Sequence, residues 1–279
     1  MAERADAHIH CFEGRYPASF TGRPGVQIGE PACYASLARD HGVSCALIVG
    51  YAAADWCRGN NEWLARQVES HPWMRPLAHV DPSQPPTLSD LARWQAQGFR
   101  GLVMYPSDPA QLRALEQIGR EIWTWLVEQG WLLSVNSGGE AWLAWRKVLD
   151  RHGALRLLIS HLGLPPRVAE PPTPQAAAKA LAPVLALAAY PGPHVKLSGF
   201  YALSDPGYDY PHRAAWPYVE ALLAGFGVER LLWASDFFPA LDHLSFPQTF
   251  GLFRHMPFLD AGMREAIEGG NLLRLLGEA

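Results

Sequence analysis

Short apolar runs alternate with longer amphipathic stretches along the whole chain. Runs of this kind, closed by Gly, Pro, Asn or Asp, are typical of buried β-strands. The pattern predicts eight strands: Ala5–His10, Cys45–Val49, Arg75–Val80, Gly101–Met104, Trp131–Val135, Leu155–Ser160, His194–Ser198 and Arg230–Ala234.

A helix is predicted after each of these strands, because apolar residues there recur every three or four positions. The predicted helices are Ala32–His41, Asn60–Ser70, Thr87–Gln97, Gln111–Gln129, Glu140–Arg151, Gln175–Ala189, Tyr218–Phe226 and Leu259–Leu276, with a short extra helix near Gln248–Phe253.

Alternating strands and helices predict a parallel sheet, and eight such units predict a closed (β/α)8 barrel. The first strand is not followed by a glycine-rich phosphate loop, which argues against a dinucleotide-binding fold. No repeat or linker divides the sequence. We therefore expect residues 1–279 to form one α/β domain, a TIM barrel with long loops at the strand ends.

The composition narrows the class of partner. The 279 residues are 49% hydrophobic and 18% charged, with a net charge of −4 and no dense run of Lys and Arg. This balance argues against a nucleic-acid or anionic-membrane partner, and no apolar segment approaches the roughly 20 residues that span a bilayer. From the few residues before the first strand we expect no secretory signal, and the four cysteines form no CxxC pair. We expect a cytoplasmic protein with buried or free thiols.

Two loops that follow predicted strands are long and rich in aromatic residues, Cys11–Glu30 and Phe237–Pro257. Loops of this length in compact domains are usually functional or disordered. We expect both to fold over the carboxyl ends of the strands and to exclude water there.

The first strand carries Asp6, His8 and His10 at alternate positions. Residues two apart on a strand point to the same face, so the two imidazoles could bind one metal ion together. In a barrel of this kind the active site lies at the carboxyl ends of the strands. The polar and aromatic residues expected there are His8, His10, Tyr51, His79, Tyr105, Asn136, His161, Ser198 and Asp236.

Five segments, in order, resemble the amidohydrolase superfamily, in particular its branch of small lactone hydrolases and related decarboxylases. They are Asp6–His10, Leu158–Gly163, Val195–Gly199, Trp233–Asp236 and Gly270–Leu276. The resemblance covers the whole chain and implies a mononuclear divalent metal site or a metal-free derivative of it. It assigns His8, His10 and Asp236 as metal ligands. It also assigns Asp236 as the base that takes a proton from water, and His161 as the residue that orients water or polarises the substrate carbonyl.

Asn136 departs from the family pattern. Metal-bearing members usually have a histidine ligand at the end of the fifth strand, whereas Asn136 offers a carbonyl oxygen, a weaker ligand for zinc. The lysine that bridges two metals at the fourth strand is also missing, because Met104 and Tyr105 stand at that strand end. These departures favour the lactonase branch, in which some members work without metal, and argue against a binuclear site.

We therefore expect a hydrolase for a small, ring-containing ester or amide of the lactone type, with water activated by Asp236. The expected cofactor is one divalent metal, with zinc as the first choice, and a metal-free histidine cluster is the alternative. Two other functions stay open on the same barrel. One is a metal-dependent decarboxylase, and the other is a catalytically degenerate barrel that only binds a ligand.

Aromatic residues near the strand ends predict a pocket for a ring-bearing, partly apolar small molecule. The same residues could instead pack together or form a contact between copies in a homo-oligomer. Lys196, two residues before Ser198, is expected inside the barrel, with Asp6 as its partner in a structural ion pair. The residues assigned to substrate binding are Tyr51, His79, Tyr105, Asn136, Ser198, Tyr201 and Phe237.

Overall fold

Eight parallel strands, numbered β1 to β8 in chain order, neighbour one another in that same order in a single sheet. The computed structural model describes residues 3–13, 29–106 and 108–278. The strands are β1 Arg4–Ile9, β2 Val43–Val49, β3 Met74–His79, β4 Gly101–Met104, β5 Leu132–Val135, β6 Arg156–Ile159, β7 His194–Leu197 and β8 Leu231–Trp233.

Short helices connect the strands. The α-helices are α1 Glu30–Asp40, α2 Asn60–Gln67, α3 Leu88–Ala96, α4 Pro109–Ala114, α5 Arg120–Glu128, α6 Trp142–Leu149, α7 Pro174–Ala180, α8 Ala182–Leu185, α9 Phe200–Leu203, α10 Trp216–Phe226, α11 Gln248–Gly251, α12 Ala261–Glu265 and α13 Asn271–Leu276. Tighter 3₁₀ turns cover Asp55–Cys57, Val68–Ser70, Leu115–Gln117, Gly139–Ala141, His161–Gly163, Ala186–Ala189, Arg213–Ala215, Val228–Arg230, Pro239–Asp242 and Leu252–His255, and Ala266–Gly270 is a π-helical turn. Within the described ranges, none of these helices has the length and apolar character needed to cross a membrane.

The sheet closes on itself between β8 and β1. The Asp236 amide donates to the His8 carbonyl at 2.9 Å, and the His10 amide donates to the Phe237 carbonyl at 2.6 Å. These bonds continue the parallel pairing that joins each earlier strand to the next. The predicted (β/α)8 barrel is therefore confirmed.

Two apolar cores hold the barrel together. The smaller core fills the barrel interior, with Leu47, Leu77, Val103, Leu158 and Leu232 among its members. The larger core lies between the strands and the surrounding helices. Burial of each such side chain stabilises the fold by roughly 1.5 to 3 kcal/mol. Because the interior is packed, open space for a ligand lies at the ends of the strands.

The first strand does not alternate simply. Its pairing with β2 shifts between Asp6 and Ile9, which is the effect of a β-bulge. Asp6 accepts a hydrogen bond from Tyr34 on α1 at 2.9 Å, whereas His8 lies 3.3 Å from the Lys196 ammonium inside the barrel. The prediction that Asp6 and His8 share a face is wrong, because the irregularity reverses the alternation between them.

Three predicted helices are interrupted, and one of them, Gln175–Ala189, divides at Leu181 between α7 and α8. The segment Gln111–Gln129 breaks at Gly119, whose backbone angles of φ −54° and ψ 139° are not helical. The segment Leu259–Leu276 contains the π-helical turn, from which Glu268 forms an ion pair with Arg4 at 2.8 Å. Apolar spacing continues across the break at Gly119 because Leu115 and Ile122 pack in the same larger core, whereas Ile267 belongs to the larger core and Leu272 to the smaller one.

The second of the two long insertions lies entirely within the described part of the chain. Residues 14–28 of the first insertion lie outside the described part of the chain. In the second, Phe246 and Phe250 pack on the outward-facing Trp233, and Phe250 lies 4.2 Å from the Arg4 guanidinium. The prediction that this insertion folds over the barrel mouth is wrong for its later part, whose aromatic rings are buried on the outside of the barrel.

Candidate active site

Two imidazoles stand side by side at the end of β1. The Nε2 atoms of His8 and His10 are 3.1 Å apart. His10 Nδ1 lies 2.8 Å from the Val49 carbonyl at the end of β2, and a carbonyl can only accept. His10 therefore carries its proton on Nδ1 and presents the Nε2 lone pair to the site.

Asp236 follows β8 and faces the same point. Its φ of +57° lies in the left-handed region, a conformation that costs free energy in a residue with a side chain and often marks a functional site. Oδ1 lies 3.8 Å from His8 Nε2. Oδ2 accepts a hydrogen bond from the Tyr201 hydroxyl at 2.6 Å. One carboxylate oxygen is thus held, and the other faces the imidazoles.

His161 completes the cluster from the end of β6. Its Nδ1 is 2.9 Å from the Ser198 hydroxyl at the end of β7, so Nε2 is the ring atom left to face a ligand. The ring centroids of His161 and His8 are 4.8 Å apart. Ligand atoms of His8, His161 and Asp236 all lie within 4.8 Å of one another.

Burial controls the charge of the three imidazoles. Desolvation lowers the pKa of His8 well below its ordinary value, and Lys196 and the other histidines act in the same direction. Burial also lowers the pKa of His10 and of His161, although Asp236 raises both. All three rings are therefore neutral near pH 7, the state in which imidazole can bind a metal.

These side chains fit a divalent metal. Three neutral imidazoles and one carboxylate form the nitrogen and oxygen donor set that zinc takes. The 3.1 Å spacing of the His8 and His10 nitrogens suits two ligands of one ion at roughly 2.0 to 2.1 Å each. His10 also has the usual outer partner of a metal-binding histidine, a backbone carbonyl on the second ring nitrogen.

Lys196 lies inside the barrel as predicted, but its partners are different. It is fully buried, and Nζ donates to Ser134 Oγ at 2.7 Å and lies 3.3 Å from His8 Nδ1. The predicted ion pair with Asp6 does not form, because Asp6 faces α1 and accepts from Tyr34 and from the amides of His8 and Ser235. Desolvation raises the pKa of Asp6 to about 6, against those hydrogen bonds.

A second group of predicted residues lines a cavity at the same end of the barrel as the histidines. Tyr51, His79 and Tyr105 surround a space of about 760 Å³ at the ends of β2, β3 and β4, with ring centroids 5.1 to 5.9 Å apart. Tyr51 follows Val49, the partner of His10, by two positions. The cavity therefore lies at the same end of the barrel as the imidazole cluster.

The remaining predicted substrate residues are placed differently from one another. Asn136 follows β5, where its main-chain N–H donates to the Met104 carbonyl at 3.1 Å. Ser198 and Tyr201 support His161 and Asp236. Phe237 is fully buried against Tyr34 of α1 and so is not placed to contact a substrate, because its side chain lies between the strands and the surrounding helices.

Sequence reasoning missed Ser134 and the Val49 carbonyl. Ser134 is the only polar residue of β5, and this could have pointed to a polar partner inside the barrel. The Val49 carbonyl is a main-chain group and leaves no trace in the sequence.

Gly199 makes room for His161. Its φ is +68°, and a Cβ at this position would lie 2.9 Å from His161 Nδ1. We expect Gly199→Ala to displace the His161 imidazole and to lower kcat by up to about 10²-fold. Because alanine is strained in the left-handed conformation, the substitution should also lower the free energy of unfolding by about 1 to 2 kcal/mol. Gly139→Ala is the matched control, because Gly139 also has a positive φ but nothing within 4 Å of the added carbon. Equal activity loss in both variants would contradict the steric explanation.

The chain forms a parallel eight-stranded barrel, and its imidazoles and a carboxylate meet at the strand ends. These features place the protein in the class of (β/α)8 barrels that have their site at the carboxyl ends of the strands. The amidohydrolase family model matches residues 5–277. The chain therefore belongs to the amidohydrolase family, as its sequence motifs indicate.

Solved structures show the same architecture. An amidohydrolase from Burkholderia multivorans with bound zinc is 23% identical, with a TM-score of 0.80 and 99% of each chain covered. A proposed 2-pyrone-4,6-dicarboxylic acid hydrolase from Pseudomonas putida is 22% identical, with a TM-score of 0.73 and coverage of 100% of this chain and 98% of that one. 2,6-Dihydroxybenzoate decarboxylase from Rhizobium is 14% identical, with a TM-score of 0.58 and 99% of each chain covered. At these identities the likeness shows the fold. A comparison with curated protein sequences gives no significant match.

Proposed function

We propose that the protein hydrolyses a small cyclic ester, a lactone, with Asp236 as the general base. The observation that carries this proposal is the way in which the carboxylate is held. Tyr201 fixes Oδ2 at 2.6 Å, and Oδ1 faces His8 at 3.8 Å. A carboxylate fixed at one oxygen can present the other to a water in one orientation, which is what general-base catalysis needs.

In the proposed reaction Asp236 Oδ1 accepts a proton from water while the water oxygen attacks the ring carbonyl carbon. A neutral His161 whose Nδ1 accepts from Ser198 has its proton on Nε2 and can donate to the carbonyl oxygen as negative charge develops there. The ring C–O bond then breaks, and Asp236 returns the proton to the leaving alkoxide, which gives a hydroxy acid. A divalent metal held by His8, His10 and Asp236 would supply carbonyl polarisation and a lower pKa for the attacking water.

The cavity lined by Tyr51, His79 and Tyr105 supports a ring-bearing substrate. Its walls combine flat aromatic faces with hydroxyl and imidazole groups, a mixture that suits a small ring with polar substituents. Arg58 also lines this space, but it already pairs with Asp55 in an exposed ion pair. The proposal therefore does not require a carboxylate on the substrate.

The test is an assay of chelator-treated and zinc-reloaded protein on two substrate panels. One panel contains sugar-derived and aromatic lactones, with acid release as the readout, and the other contains aromatic carboxylic acids, with carbon dioxide release as the readout. We expect acid release from at least one lactone. Carbon dioxide release without lactone hydrolysis would replace the proposed reaction with decarboxylation, and activity on neither panel would leave a binding protein as the better description.

A further inference from the structure

A continuous line of hydrogen-bonding groups crosses the floor of the site. Lys196 Nζ lies 3.3 Å from His8 Nδ1, His8 Nε2 lies 3.1 Å from His10 Nε2, and His10 Nδ1 lies 2.8 Å from the Val49 carbonyl. Four groups are thus joined by three contacts, each within hydrogen-bonding distance.

The two ends fix the direction of these bonds. The Val49 carbonyl can only accept, so His10 donates from Nδ1, and a neutral His10 must then accept at Nε2. The donor to that atom is His8 Nε2, which leaves His8 Nδ1 as an acceptor from Lys196. The order of donation is Lys196 to His8 to His10 to Val49, with the His8 proton on Nε2.

This arrangement opposes metal binding at His8. An imidazole that binds a metal through Nε2 needs its proton on Nδ1, and an acceptor such as a carboxylate or a carbonyl normally receives it. At His8 the atom facing Nδ1 is the amine of Lys196, whose protonated form has three donors and no acceptor. The other candidate ligands have suitable partners, since His10 contacts a carbonyl, His161 a hydroxyl, and Asp236 the Tyr201 hydroxyl.

We propose that Lys196 is a positioning residue that holds the His8 proton on Nε2 and thereby weakens zinc binding at this site. The inference rests on the metal site of the proposed function. Ser134 Oγ, 2.7 Å from Nζ, fixes the amine in this place, and Lys196 forms none of the ion pairs found among the described residues. The histidine cluster is consequently hydrogen-bonded internally when no metal is present.

Zinc affinity tests this directly. The dissociation constant for Zn²⁺ is measured near neutral pH by competition with a chromogenic chelator, for the wild type, Lys196→Met and Lys196→Gln. We expect Lys196→Met to bind zinc about 10- to 100-fold more tightly, the range typical of changes to outer partners of metal ligands. Lys196→Gln should increase the zinc affinity at least as much, because the glutamine side-chain oxygen can accept a hydrogen bond from a proton on His8 Nδ1.

Lys147→Met is the matched control. It removes the same charge from an exposed ion pair with Glu116 and should keep the wild-type zinc affinity. If both Lys196 variants keep the wild-type circular dichroism and bind zinc no more tightly than the wild type, the inference is wrong. If the affinities follow the expected order while no lactone is hydrolysed, the inference stands and the proposed reaction fails.

Histidine nitrogen NMR of the chelator-treated wild type provides a test that needs no variant. We expect His8 to be protonated at Nε2 and His10 at Nδ1, with the His8 proton moved to Nδ1 in Lys196→Gln. A wild-type His8 protonated at Nδ1 would overturn the inference even if zinc affinity changed.

Discussion

Asp236→Asn is expected to lower kcat by about 10²- to 10⁴-fold, the usual cost of losing a general base. The amide has nearly the same shape as the carboxylate and can still accept from Tyr201, but it cannot take a proton from water. Asp236 lies at a strand end, outside both apolar cores. The variant should therefore keep the circular dichroism and the melting temperature of the wild type within a few degrees.

The measurement is steady-state hydrolysis of a lactone that the wild type accepts, at saturating substrate. Asp242→Asn serves as the control, because Asp242 is an exposed carboxylate in the same loop and should not affect turnover. Near wild-type kcat in Asp236→Asn would show that another group is the base, with His161 as the next candidate.

Between pH 7 and pH 9 the free energy of unfolding is expected to rise by roughly 2 to 3 kcal/mol more in the wild type than in Lys196→Met. Desolvation lowers the pKa of Lys196 from 10.5 to about 7, although Asp236 and Asp6 act in the opposite direction. In this window the unfolded chain keeps the lysine protonated while the folded chain loses the proton. The unfolded state thus binds more protons, and stability increases with pH.

The other groups around Lys196 do not raise the free energy of unfolding between pH 7 and pH 9. His8 is in contact with Nζ, but its pKa lies well below the window, Asp6 titrates near 6, and Ser134 does not titrate. Urea unfolding at a series of pH values, in the presence of a chelator, measures the difference. Lys147→Met should follow the wild-type slope, and parallel curves for the wild type and Lys196→Met would contradict the prediction.

The sequence alone determined the architecture and the general position of the site. Eight apolar runs separated by amphipathic stretches specify a barrel, because each run must be covered on both faces and each crossover must pack back on the sheet. Once the barrel is specified, residues at the carboxyl ends of distant strands must meet. His8, His161 and Asp236 could therefore be placed near one another although they span most of the chain.

Only the tertiary structure decided which atoms face which. The irregularity in β1 turns Asp6 toward Tyr34 and leaves Lys196 with Ser134 and His8. Alternation along a strand cannot reveal this, because a single irregular pair reverses the faces on either side of it. Tyr201 becomes a partner of Asp236 because the β7 and β8 loops pack together, a contact that depends on loop paths rather than on local pattern. Polar contacts require positions correct to a few tenths of an ångström, whereas a hydrophobic pattern specifies only which face is buried.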